Sequence, residues 1–252
     1  MDDGLKDTLR ILVALALTGL LVMLRLDAER FGAAEYDEPV AGMSWVRRWS
    51  RRLAWYALGI GLILAVLAVH PDPRKDLFLS VGDRAGGILL GLLLGLAGVV
   101  QALGLAWYHY RRIRLPPSSM YPGAIANEVI TAFIDEATFR GAILGYLIWA
   151  GADVNLAIVA QAIAYSLATR LGAPGRDRYL FVLSLAVGLI GGWATVATGG
   201  IGAAFLGHAI TRVANFLVTG HSGQAAQRGR EVEDLQLLGS APDGWSPVER
   251  IR

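Results

Sequence analysis

Between Asn127 and Gly141 the chain places three carboxylates, Glu128, Asp135 and Glu136, and one guanidinium, Arg140, in a stretch otherwise apolar enough for lipid. An ionisable group at bilayer depth costs at least ~2.5 kcal/mol, so such a cluster persists only by pairing internally or by lining a wet cavity. At helical spacing Asn127, Thr131, Asp135 and Thr138 share one stripe with Glu128 beside it, and Glu136 and Arg140 stand four apart in the order that favours an ion pair. Two later apolar runs carry polar seams of their own. One holds Gln161, Tyr165 and Thr169, flanked by Ser166 and ending in Arg170; the other holds His208, Thr211, Arg212 and Asn215. Converging, the three seams would offer a carboxylate base, Asp135 or Glu136, an imidazole donor or ligand, His208, and further donors in Arg212 and Asn215. That set can activate water against a carbonyl in a hydrated pocket. The same polar groups can also serve only to hold helices together, as they commonly do in membranes.

Metal chemistry has few donors to draw on. The chain has no cysteine and four histidines, of which His70, His109 and His221 fall in loops or at the ends of runs. No cofactor is expected with certainty; a zinc ion would have Asp135, Glu136 and His208 to hold it, if their geometry allowed.

The elements that position these residues are apolar runs. Over 252 residues, 54% are hydrophobic and 17% charged, and the mean hydropathy is +0.47, values of a membrane protein rather than a soluble one. Seven runs approach the ~20 residues needed to cross a bilayer: 8–26, 53–69, 86–108, 124–150, 154–171, 179–198 and 201–219. The fourth is long, and a bend or break near Asp135 is expected. The fold class that follows is all-α, a polytopic transmembrane helix bundle of about seven spans, with the polar site enclosed by the fourth, fifth and seventh. Charged residues flank the first run and no small-residue cleavage site follows it, so it reads as a retained span.

With the N-terminus outside, five Lys and Arg fall in outer segments and sixteen in inner ones. That asymmetry points to a cytoplasmic C-terminus, most simply in the plasma (inner) membrane. The loop after the first run starts acidic, with Glu35, Asp37 and Glu38, and ends in a Trp- and Arg-rich stretch from Trp45 to Arg52; Arg111, Arg112 and Arg114 beside Trp107, Tyr108 and Tyr110 repeat that pattern. Basic residues interleaved with aromatics can stack on nucleic acid, but here they read as interfacial segments against anionic lipid, and no nucleic-acid partner is expected. Gly87, Gly91 and Gly95 in the third run, and Gly188 and Gly192 in the sixth, are spaced to let helices approach closely. Three regions result: 1–122, with three spans and a basic loop; 123–219, with the polar seams; and a polar cytoplasmic tail, 220–252.

The stretch Phe133-Ile134-Asp135-Glu136-Ala137-Thr138-Phe139-Arg140-Gly141 resembles the first motif of the CPBP intramembrane proteases (CAAX proteases and bacteriocin-processing enzymes), Glu-Glu-x-x-x-Arg, commonly followed by Gly. Tyr165 with Thr169 stands where that family has an aromatic followed four residues later by His. His208 with Arg212 stands where it has His followed by Asn or Asp. The likeness runs over about 123–219. It implies an endopeptidase acting on a membrane-associated or prenylated peptide or protein, with Asp135 as base, Glu136 and Arg140 as its paired neighbours, and His208 and Arg212 at the oxyanion. Three departures stand out: Asp135 for Glu, Thr169 for His, and Arg212 for Asn. A threonine hydroxyl orients water but does not take its proton at neutral pH. The resemblance therefore implies either an intramembrane endopeptidase or a catalytically inactive relative serving as an interaction or scaffold subunit among other membrane subunits.

Overall fold

The computed structural model describes residues 3–28, 30–32, 44–110, 113, 121–171 and 179–219. The acidic loop residues Glu35, Asp37 and Glu38, the arginines Arg111, Arg112, Arg114, Arg176 and Arg178, and the tail 220–252 lie outside the described residues.

Those residues are all-helical, without strands. The helices are α1 (Asp3–Leu26), α2 (Trp45–Val69), the short α3 (Pro73–Asp76), α4 (Arg84–Tyr110), α5 (Tyr121–Glu136), a π turn (Ala137–Ile143), α6 (Leu144–Trp149), α7 (Val154–Leu171), α8 (Tyr179–Thr198) and α9 (Gly202–Thr219). Local chemistry sets several starts: Ser44 accepts the Arg47 N–H at 3.4 Å to cap α2, Pro73 opens α3, and Asp153 Oδ1 accepts the N–H groups of Asn155 and Leu156 at the head of α7. Gly199 ends α8 in the left-handed region, φ 71°.

Five helices are long and apolar enough to cross a membrane: Gly4–Leu26, Trp49–Val69, Arg84–Tyr108, Val154–Leu171 and Phe181–Thr198. The protein is an integral membrane protein. The other two expected runs, 124–150 and 201–219, are helical as well, but they carry the buried charges and the first is interrupted by the π turn. Apolar enough or not, they lie against protein: α9 packs along α4, α5 and α8, and α5 packs on α2 and α9.

Glycine decides how close the apolar helices come. A methyl group on Gly91 would sit 2.9 Å from Leu206 Cβ, and one on Gly95 2.6 Å from Ile210 Cδ1, so α4 and α9 approach at backbone distance. Gly188 does the same for α8 against α7, 2.8 Å from Ala162 Cα, whereas Gly87 faces nothing within 4 Å. The close approaches expected from glycine spacing are thus made within the chain, by Gly91, Gly95, Gly188 and Gly192 but not by Gly87.

The break near Asp135 is the π turn. Thr138 Oγ1 donates to the Ile134 carbonyl at 2.7 Å, a side-chain bond of the kind that bends helices, and the winding returns to α where the Leu144 N–H reaches back to Phe139 O. The π turn leaves the Gly141 carbonyl to accept the Phe78 N–H at 3.2 Å, from the segment between α3 and α4. Such insertions are frequent at functional sites.

Candidate functional site

Four helical segments, α5, the π turn, α7 and α9, build a closed ring of four residues. Glu136, the last residue of α5, accepts from His208 Nδ1 of α9 at 2.7 Å and forms an ion pair with Arg140 Nη1 of the π turn at 3.2 Å, both through Oε1. The other imidazole nitrogen, Nε2, meets the Tyr165 hydroxyl of α7 at 3.4 Å. The ring closes where the Arg140 guanidinium lies over the Tyr165 ring, 4.1 Å from its centroid. Phe139 stacks edge-on against that same ring at 5.3 Å. Arg140 is wholly buried, and it fits because Gly191 of α8 has no side chain: a Cβ there would lie 3.2 Å from Arg140 Nε.

Around the ring lie two further ion pairs. Asp135 Oδ1 is 2.8 Å from Arg25 Nε of α1, with both side chains buried. Glu128 Oε2 is 2.7 Å from Arg212 Nε of α9, and its other oxygen accepts Asn127 Nδ2 at 3.2 Å. Asn127 in turn accepts the Tyr56 hydroxyl of α2 at 2.5 Å. The charges of Asp135, Arg25 and Arg212 all act on the Tyr165 phenol, so ring and pairs belong to one cluster. Each buried carboxylate thus has its own arginine: Glu128 has Arg212, Asp135 has Arg25, and Glu136 has Arg140. A cluster that closes in this way removes the cost of isolated charge at depth.

Placed against the expectations, Glu136 and Arg140 form the anticipated pair. His208 bonds to Glu136 rather than to Asp135. Asp135, read as the base, is held by a guanidinium, and Arg212, read as an oxyanion donor, is held by Glu128. Thr169 is buried and its hydroxyl makes no hydrogen bond among the described residues. Glu136 Oε2 and Asp135 Oδ2 are likewise unbonded. The donor set does not fit a metal ion: Asp135 and Glu136 are successive residues turned to different arginines, and among the described residues no three His, Asp or Glu side chains group as a metal would need. Arg25 and Tyr56 were not anticipated at the site. No charge count points to the first, because the segment 123–219 has five arginines of its own.

Residues 117–214 match the family described as type II CAAX prenyl endopeptidase Rce1-like. Over that stretch, less than half of the chain, the sequence is similar to the Rce1-like family. The match takes in Asp135, Glu136, Arg140, Tyr165, Thr169, His208 and Arg212, while Arg25 and Tyr56 reach the matched segment from helices before it. No curated protein and no solved structure matches the chain.

Proposed function

We propose that this CAAX-protease-like membrane protein is a non-hydrolytic relative, whose polar core ties helices together so that the bundle can serve as an interaction or scaffold subunit of a membrane complex. The observation that carries this reading is the Arg25–Asp135 pair at 2.8 Å: the carboxylate oxygen is taken up by a buried guanidinium instead of standing open to a water, and Thr169 of α7 supplies no imidazole. The excess of Lys and Arg in segments on one side supports a plasma-membrane protein with its C-terminus in the cytoplasm.

One contact favours a second reading. Glu136 orients His208 through Nδ1 and leaves Nε2 as an acceptor, the arrangement of a general base in hydrolases. Here His208 would take the proton from water attacking a peptide bond of a membrane-associated or prenylated substrate. The test is an assay of purified protein in liposomes on prenylated CAAX peptides and on a membrane-embedded peptide library. The scaffold reading expects wild type, Asp135→Asn and His208→Ala to be equally inert. Cleavage by wild type that is lost in His208→Ala would replace it with the second reading.

A further inference from the structure

Residues 70–83 join α2 to α4 across one end of the bundle, and their contacts make them a cover over the π turn. Leu77 is buried, and its Cα lies 2.8 Å from where a Cβ on Gly145 would be; Leu79 fills the place of a Gly141 side chain. Phe78 donates to the Gly141 carbonyl at 3.2 Å, and its own carbonyl and that of Ser80 receive the Ile201 N–H. Asp83 N–H reaches Thr198 O at 2.7 Å, next to Gly82, whose φ of 73° and lack of a Cβ let it pass the Thr198–Gly200 backbone.

At the start of this cover sits His70. It is 1% exposed, its ring is tilted against Tyr146 of α6 at 5.6 Å, and it caps α2 by donating its backbone N–H to Val66 O. Nδ1 accepts the Asp72 N–H at 3.2 Å, which places the proton of the neutral ring on Nε2, and Nε2 has no partner among the described residues. Arg10 of α1 binds the last carbonyls of this turn, Val69 O at 2.9 Å and His70 O at 3.4 Å. The charged groups that act on the imidazole are therefore Arg10 from α1 and Asp72 and Asp76 from the turn and α3, with the Tyr146 phenol facing it from α6.

We propose that neutral His70 is the latch of the 70–83 cover and that its protonation releases the cover from the bundle. A second proton can enter only at Nδ1, where it abolishes the acceptor for the Asp72 N–H, and it places a cation in a buried pocket near the Arg10 guanidinium. Burial holds His70 below the ordinary value of 6.5, with Arg10 adding to the depression and Asp76 and Asp72 opposing it. The sign follows: the opened cover binds the proton more readily than the closed one, so the latch is fully effective above 6.5 and weakens as pH falls below it. Because Phe78 holds Gly141, opening the cover would free the π turn that carries Arg140. The latch does not depend on whether the core hydrolyses anything.

The experiment is hydrogen exchange of the Asp72 and Phe78 amides in the full chain in nanodiscs, corrected for intrinsic exchange, with wild type compared to His70→Asn. The asparagine amide oxygen can still accept the Asp72 N–H but does not titrate. Between about pH 7.5 and about pH 5, opening in wild type is expected to rise several-fold and to stay flat in His70→Asn. An equal rise in the variant, or no rise in wild type, overturns the latch. Should His70→Asn not fold, titration of the wild-type imidazole by NMR decides: a transition below 6.5 that coincides with opening supports the proposal, and one at or above 6.5 contradicts it.

Discussion

Two kinds of contact hold this bundle together, and they sit in different places. Along α4 against α9, and α8 against α7, glycines let backbones meet and the joint is chiefly van der Waals contact, joined between α7 and α8 by one hydrogen bond from Gln161 Nε2 to Gly188 O at 2.7 Å. Around α5 and the π turn the joints are polar, most of them charged: Arg25 ties α1, Tyr56 ties α2 through Asn127, Tyr165 ties α7, and His208 and Arg212 tie α9. A small-residue joint is tolerant of one flaw, because its energy is spread over many weak contacts. An ionic joint is not, because losing one partner leaves a buried charge unpaired.

The sharpest way to break that contrast is Arg140→Met. It leaves Glu136 with only His208, in a buried site, and should cost ~3–5 kcal/mol in unfolding free energy measured by denaturation in mixed micelles. Gly95→Ala forces a methyl onto Ile210 and should cost less, ~1–3 kcal/mol. If the glycine change proves the more damaging, the ionic joints are not the principal ties. Gly87→Ala sharpens the same comparison from the other side. Nothing lies within 4 Å of that position, so the gain in helix propensity, up to ~1 kcal/mol, should leave the protein unchanged or slightly more stable. Tyr56→Phe removes a single hydroxyl from Asn127 and should cost the least among the damaging changes, ~0.6 kcal/mol, typical of one hydrogen bond between membrane helices. A loss as large as that of Arg140→Met would make Asn127, not the ion pairs, the keystone.

Much of this was legible in the chain because the relevant signals are local. Hydropathy located the helices, spacing put Glu136 beside Arg140, and glycine periodicity named the close faces, with Gly87 the exception because periodicity alone does not say which glycines in a stripe meet a neighbour. The break after Asp135 was anticipated from polarity, but its π geometry was not, since it is fixed by Thr138 reaching back to Ile134 and by the distant Phe78 taking up the Gly141 carbonyl. What pairs with what was the least legible. Arg25 is 110 residues from Asp135, and at the end of its run it has the ordinary look of a topology-setting cation. Similarly, the motif spacing brought His208 to the site but left open which of two adjacent carboxylates it would meet, and helix winding gave that place to Glu136.

If the residues in catalytic-like positions are helix ties, the Arg25–Asp135 pair must be one of the strongest of them. A double-mutant cycle with Arg25→Met, Asp135→Leu and the combination, read by unfolding free energy in micelles, measures the pair itself. Each single change should destabilise strongly and the double should recover much of the loss, giving a coupling of about 2 kcal/mol. Losses that simply add would mean that Asp135 and Arg25 are not tied to each other, and the case against Asp135 as a base would fall with that result.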